Sequence, residues 1–342
     1  MKRLIIVTTI LCTVVLIIPT MLVMFSSPTS ETTVSTTQVE GNEQQPVIPD
    51  YNPEEDISIA VYRSQSEQVE TVPLEQYVMG VVASEMPVNF ELEALKAQAL
   101  TARTFIIQQM LNPSTDIKLP DEAIVTDTVT HQVYQNDTEL KNKWGQDFDK
   151  NMEKIALAVL STKGEVLTYE NEPITAAFFS TSNGYTENSE DYWQNSIPYL
   201  RSVESPWDQS SPRSSAEKVI SITEFEEKLG IEMPEDGSVG TVVARTDGGR
   251  VAKVKIGGKE FTGRDIRDRL ELDSSDFHWQ RHNNQIVIRT RGWGHGVGMS
   301  QYGADGMAKE GRTYKDILNH YYQGVSIQSH EPFVAKLTAK SE

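Results

Sequence analysis

Cysteine is all but missing from this chain: Cys12 is the one thiol in 342 residues. That excludes a disulfide framework and a cysteine-rich metal site alike. Basic residues are scarce too, 31 Lys and Arg against 49 Asp and Glu, for a net charge of -18. Nucleic acid is excluded as a partner on that balance, because a polyphosphate needs a basic face. There is no G-x-S-x-G elbow for a serine nucleophile, and the glycines at 292–298 are not followed by the Lys-Ser/Thr of a phosphate-binding loop. No repeat of a solenoid or propeller is present. Long apolar runs are absent with one exception, Leu4 to Phe25, uncharged throughout and preceded by Lys2 and Arg3. At about 1.5 Å per residue this run spans a ~30 Å hydrocarbon core. It is expected to be a membrane anchor with a cytoplasmic N-terminus and an exported body. A cleaved signal is the rival, disfavoured by the length of the run and the missing A-x-A-like site.

What is present divides the chain in order. Residues 26–56 are rich in Ser, Thr, Glu, Gln and Pro with no basic residue, and read as a disordered linker. A globular head is expected over 57–335. ISIAVYR alternates as a strand. TVPLEQYVMGVVASEM reads as a helix opening between Thr71 and Pro73 and stopped by Pro87. A second helix, ELEALKAQALTARTFIIQQML, follows, with Lys96 and Arg103 nearly in line on one face. Asn112 to Asp149 reads as a looser polar section. A helix from Met152 to Leu160 leads to a hairpin around Glu170-Asn171. Residues 214–290 read as an inserted subdomain, with a hairpin at Asp247-Gly248-Gly249 and a short helix capped by Thr262. Hairpins beside segregated helices make the fold class α+β, with mixed or antiparallel sheets, packed helices, the smaller insertion and the N-terminal transmembrane helix.

One carboxylate breaks the pattern. Glu85 lies three, four, seven and eleven residues after Val82, Val81, Val78 and Leu74, on the buried stripe of its helix. Desolvation and the negative helix end both raise a carboxyl pKa, the condition of a general acid. The competing reading is a helix-end carboxylate paired with Arg103. In STSN, the side chains of Ser180, Thr181, Ser182 and Asn183 either meet a sugar or do ordinary turn work. His295, among glycines 292, 294, 296 and 298, either serves substrate and Glu85 or braces a tight turn. His278 and His282 read as a surface pair rather than half a zinc site. Trp193, Trp207, Trp279 and Trp293 have flat faces that suit sugar rings, though each is as readily core.

Three stretches together, VMGVVASEMP, AAFFSTSNGYTEN with PYLRSVESPWD, and GWGHGVGMSQYGADGMA, resemble the stage II sporulation protein D family, the lytic transglycosylase and amidase-enhancer group of cell-wall proteins. The resemblance covers about 57–330. It implies cleavage of peptidoglycan glycan strands where a membrane engulfs the forespore, with Glu85 as the catalytic acid/base and no cofactor. It carries Gln98 and Arg103, then Ser180, Thr181 and Ser182, then His295, Gln301 and Tyr302 over as matched positions. Asn183 stands where many members have glycine. Some relatives hold a metal with cysteine and histidine, and without cysteine in the head that site is not carried over. The implied partners are a wall amidase and a multi-pass membrane scaffold. An anionic glycan needs a basic groove, for which Lys96, Arg103 and Arg201 are the candidates.

Overall fold

The structure, a computed structural model, describes residues 47–113, 118–120, 122–234 and 237–341. The expected membrane anchor falls outside them, and no described helix is long and apolar enough to cross a membrane. Packing begins ahead of the first alternating strand, because Ile48, Tyr51 and Ile57 lie against the core and the Tyr51 hydroxyl donates to Asp56 at 3.0 Å. The last residues assigned to the linker are therefore part of the head.

Strands β1 (Ser58–Arg63) and β2 (Gln68–Pro73) form a hairpin that runs straight into helix α1 (Leu74–Glu85). Thr71 belongs to β2 rather than to the helix start, and Pro73 occupies the N-cap. Helix α2 (Leu92–Leu111) follows. The section read as loose contains β3 (Val125–Thr126), parallel to β1, and α3 (Asp137–Trp144), started by a capping box between Asn136 and Glu139. Helix α4 (Phe148–Leu160) leads to β4 (Glu165–Tyr169) and β5 (Glu172–Pro173). Glu170 and Asn171 both take positive φ between them, as a two-residue hairpin turn requires. Strand β6 (Phe178–Phe179) and the short helix α5 (Ser189–Tyr192) complete the first pass.

The insertion follows in sequence: β7 (Ser215–Ser221), α6 (Ile222–Leu229), β8 (Thr241–Arg245), β9 (Val251–Ile256), β10 (Lys259–Thr262), α7 (Gly263–Arg269), β11 (Phe277–His282) and β12 (Gln285–Arg291). Two three-stranded antiparallel sheets, β10-β9-β8 and β11-β12-β7, enclose a core of their own around Phe225, Val254, Ile266, Phe277 and Ile288. His278 and His282 sit on strand β11, so the i, i+4 spacing does not bring them together as on a helix.

The chain re-enters the main body at β13 (Met299–Ser300), parallel to β6, then α8 (Gln301–Lys309), α9 (Tyr314–Tyr321), β14 (Ser326–Ser329) and α10 (Glu331–Ser341). β14 pairs antiparallel with β4, which closes the last and middle parts of the chain together. The main core is centred on α2, where Leu95, Ala99, Leu100, Ala102 and Ile106 have no exposed surface. The whole is a mixed α+β fold of small, mostly antiparallel sheets against packed helices.

The glycine-rich return is shaped by close approach. A Cβ on Gly298, whose φ is +80°, would lie 2.1 Å from the Ala177 carbonyl oxygen, and one on Gly296 would lie 2.5 Å from the Arg250 guanidinium carbon. Only glycine fits at either place.

Candidate active site

Helix α1 packs Leu74, Tyr77, Val78, Val81 and Val82 with no exposed surface, and the same face carries Glu85 at the last turn. Met86 leaves the helix in extended conformation and Pro87 prevents another turn. Glu85 is half-buried and its Oε1 accepts from the Val133 backbone N–H at 2.8 Å. Burial raises its pKa, and the Val133 bond offsets part of that rise. Its pairing is with an amide, not with Arg103.

The segment 131–134 runs past this carboxyl at Val133. The Tyr77 hydroxyl, fully buried, donates to Gln132 Oε1 at 3.2 Å, and the Tyr77 ring stacks on Tyr134 at 5.4 Å. Burial first, and the nearby Glu85 charge second, push the Tyr77 phenol far above its ordinary value, so it stays a donor. His131 Nδ1 accepts from the Thr126 N–H at 3.1 Å, and burial lowers its pKa, which favours the neutral ring. Lys143 Nζ donates to the Ala83 carbonyl at 3.2 Å. The buried Nε2 atoms of Gln132 and His131 have no partner. This His-Gln-Val-Tyr segment was not legible as functional. The available signal was Gly80, a glycine inside a helix, which marks close approach of another chain segment. A Cβ there would meet Tyr134 at 2.4 Å and the Gln135 carbonyl at 2.6 Å.

A direct check follows from the single donor. Val133→Pro deletes the N–H that favours ionised Glu85, so the carboxyl titration, followed by carbon-13 NMR, is expected to move to higher pH. A shift to lower pH, or none, would show that the amide does not set this group's proton affinity.

The remaining candidates separate into three groups. The chain after Glu85 meets the start of α8, because Phe90 packs edge-on against Tyr302 at 4.9 Å, and Tyr302 N–H donates to the Ser180 carbonyl at 3.1 Å. Gln301 Nε2 reaches Gln98 Oε1 at 3.4 Å, with Gln98 fully buried and its own Nε2 unpartnered. These residues are brought together around the loop that follows Glu85.

The second group is consumed by the fold. The Ser182 N–H and hydroxyl both donate to Asp208, at 2.8 and 2.9 Å, and the Ser205 and Ser300 hydroxyls donate to the same carboxylate. The Thr181 hydroxyl pairs with Ser211 at 2.9 Å, and Thr181 and Ser182 are buried. Asn183 Nδ2 donates to the Gly248 carbonyl and to Asp276, each at 2.9 Å, which ties this turn to the insertion. Of the STSN hydroxyls, that of Ser182 holds a buried carboxylate, that of Thr181 meets Ser211, and that of half-buried Ser180 lies 3.2 Å from Thr181 Oγ1. His295 Nδ1 accepts from the Val297 N–H at 3.0 Å, the ring bonds the Phe178 backbone, and Phe179, Tyr192 and Trp193 pack around it. Burial, with Arg267 and Arg250 behind it, lowers its pKa to about 4, so the ring is neutral and braces the glycine loop.

The third group corrects the expected basic groove. Arg103 has no exposed surface. It binds Glu75 through Nε at 2.8 Å and Nη2 at 2.7 Å, and donates to the Glu165 and Val159 carbonyls. Its place on the helix is core, because α2 is buried on almost every side. Lys96 is spent on Glu93 at 2.7 Å, and Arg201 on both oxygens of Glu190 at 2.7 and 2.5 Å. Three further carboxylates that could serve as a second group for an ordinary hydrolase are engaged as well: Glu187 with Arg250 in a buried pair at 3.1 Å, Glu190 with Arg201, which holds it down to about 2, and Asp191 with Asn188. No three His, Cys, Asp or Glu side chains converge as a metal site among the described residues.

A family profile described as Stage II sporulation protein matches residues 62–169, the span that holds Tyr77, Glu85, Gln132 and Val133. The chain is 47% identical over 350 aligned positions to Stage II sporulation protein D of Bacillus subtilis strain 168, with 99% of this chain and all of that protein covered. The chain belongs to the stage II sporulation protein D family. The likeness to the family member of Bacillus amyloliquefaciens is 48% over 96% of this chain and 97% of that protein. A more distant similarity, 28% over 73% of this chain and 40% of that protein, is to the amidase enhancer of Bacillus subtilis strain 168. For a stage II sporulation protein D relative, the site as built offers one half-buried carboxyl whose pKa burial raises, held by a backbone amide.

Proposed function

We propose that this chain is a peptidoglycan lytic transglycosylase that uses Glu85 alone as acid and base. Protonated Glu85 donates to the oxygen bridging N-acetylmuramic acid and N-acetylglucosamine. The C1–O bond breaks and positive charge develops at C1. The carboxylate then takes the proton of the same muramyl residue's C6 hydroxyl, whose oxygen closes on C1 to give a 1,6-anhydro end. Protons balance and no water is consumed. Ordinary glycosidases need a second carboxyl group for the water or the covalent intermediate. The observation that carries this reading is the environment of Glu85: buried enough to raise its pKa, with a lone amide on one oxygen.

The substrate is peptide-stripped glycan, and the setting is septal wall remodelling and engulfment in sporulating cells. The N-terminal run would anchor the protein with its head outside the cytoplasm, next to a wall amidase and a multi-pass membrane scaffold. Similarity to an amidase enhancer favours a second reading, a non-catalytic wall-binding protein that recruits and activates an amidase. Mass spectrometry of products from peptide-free glycan tests the first. Anhydro ends are expected. Reducing ends, heavier by one water of about 18 Da, would mean a hydrolase, and uncut strands would leave the recruiting role.

A further inference from the structure

The three cations expected to hold an anionic strand are spent elsewhere, yet the chain has a local surplus of positive charge. Residues 241–269 hold eight Lys and Arg against four Asp and Glu, in a chain that is strongly acidic overall. Several cations of this stretch face carboxylates: Arg245 meets Asp276, Arg250 meets Glu187, and Lys253 meets Glu260. Arg264 and Arg267 on α7 are different. Arg264 lies over the Tyr192 ring at 4.7 Å and donates to the Tyr192 carbonyl at 3.0 Å. Its contact with Asp268 is long, 3.6 Å, and exposed, so it compensates little of the charge. Arg267 donates to the Tyr192 hydroxyl at 2.9 Å, and its buried Nε has no partner. Neutral groups position both guanidinium ions without neutralising them.

A third such cation lies beside them. Arg213, exposed, covers the Trp293 ring at 4.3 Å, and Trp293 is 37% exposed although it stands in the glycine-rich return. Asp273 connects the two places: its carbonyl accepts from the Gly294 N–H at 2.9 Å, and its carboxyl is within electrostatic reach of Arg267 and Arg213. Trp193 packs edge-on to Tyr192 at 6.2 Å and so extends the aromatic surface.

We propose that Arg213, Arg264 and Arg267, with Tyr192, Trp193 and Trp293, form a binding subsite for a carboxylate-bearing sugar of the glycan strand. The chemistry suits such a ligand. Aromatic faces stack on pyranose rings, and guanidinium groups bind the lactoyl carboxylate that muramic acid carries and glucosamine lacks. The patch is linked to the Glu85 loop through His295 on Phe179, Ser180 bonded to Tyr302, and Tyr302 against Phe90. A long strand is thereby held at a second place. This inference rests on the reading of the chain as acting on glycan strands.

The test measures binding, not cleavage, with the full chain carrying Glu85→Gln so that strands stay intact. Calorimetry compares a peptide-free muramyl oligomer, the same oligomer with its carboxylates esterified, a chitin oligomer of equal length, and a teichoic acid. Adding Arg264→Gln and Arg267→Gln together is expected to weaken the muramyl oligomer about tenfold and the chitin oligomer less than twofold. Lys at both positions is expected to restore part of that loss. Esterification alone, with the arginines intact, is expected to cost about the same tenfold, and that arm does not depend on the variants folding. Unchanged muramyl binding, insensitivity to esterification, or equal losses on chitin each overturn the subsite. A teichoic acid that binds as tightly and loses as much would make the patch a general polyanion surface and overturn it too. Should the wild-type chain fail to cut glycan while these binding differences hold, the enzymatic reading falls and the subsite stands. Cleavage with unaltered binding is the reverse case.

Discussion

Replacing Glu85 by Gln is expected to lower the rate of glycan cleavage by about three orders of magnitude, within the range assigned to a general acid. Gln keeps the shape and can still accept from the Val133 N–H, but it has no proton to give. The folded state should not suffer. Burial raises the pKa of Glu85, so the native state binds its proton more tightly than the unfolded chain does. The native state is therefore favoured most below the free carboxyl pKa of about 4.3, and that advantage is lost as pH rises through the raised value. Wherever it is ionised, the buried carboxyl is a burden that Gln removes. The variant should melt no lower than the parent at pH 7, and the difference should shrink toward pH 4. Cleavage by the parent should fall on the alkaline side, at a pH above the ordinary glutamate range. Amidase stimulation, if it persists in the variant, would show that the two roles are separable. Undiminished cleavage by Glu85→Gln would remove the acid/base assignment outright.

How much of this could be read beforehand depended on how local each cause was. Glu85 was legible because its four apolar predecessors and Pro87 all lie within fourteen residues. The Asp247-Gly248-Gly249 hairpin, the Thr262 cap and the glycine-rich return were legible for the same reason. Partners distant in sequence were not. Val133 is 48 residues from Glu85 and contributes a backbone N–H, which every residue but proline has. Asp208, which accepts from Ser182 and Ser300, is 26 and 92 residues from them. Charge gave the least reliable guide. The partner of Lys96, Glu93, lies at a helical i,i+3 spacing that the sequence did offer, but Glu75 and Glu190, 28 and 11 residues from Arg103 and Arg201, could not be identified from spacing. The less compensated cations, Arg213, Arg264 and Arg267, lie instead on and just before the insertion, where the sequence offered only a short helix capped by Thr262.

The largest effect on stability is expected at Arg103. Its guanidinium and the Glu75 carboxylate are both without exposed surface, and the pair is bidentate. Two carbonyls, from the end of α4 and the start of β4, take further guanidinium protons. Glu75 sits in the first turn of α1, so this one side chain joins that helix to α2, α4 and β4. Arg103→Met leaves a buried carboxylate unpaired and takes one donor from each of two carbonyls, a loss of about 3–5 kcal/mol in urea unfolding. Glu75→Leu alone should cost a similar amount, because a bare guanidinium is left in the core. Removing both charges in Glu75→Leu/Arg103→Met should cost clearly less than the two single losses added, since no unpaired charge remains. The cycle separates two ideas about this arginine. A residue whose business was the substrate would lose binding while leaving the unfolding curve in place, and a loss below about 1 kcal/mol for Arg103→Met would return it to that role. The geometry assigns it to the core: it anchors the N-terminal turn of the helix whose last turn presents Glu85, and the carboxyl keeps its place beside Val133 because the other end of the helix is fixed.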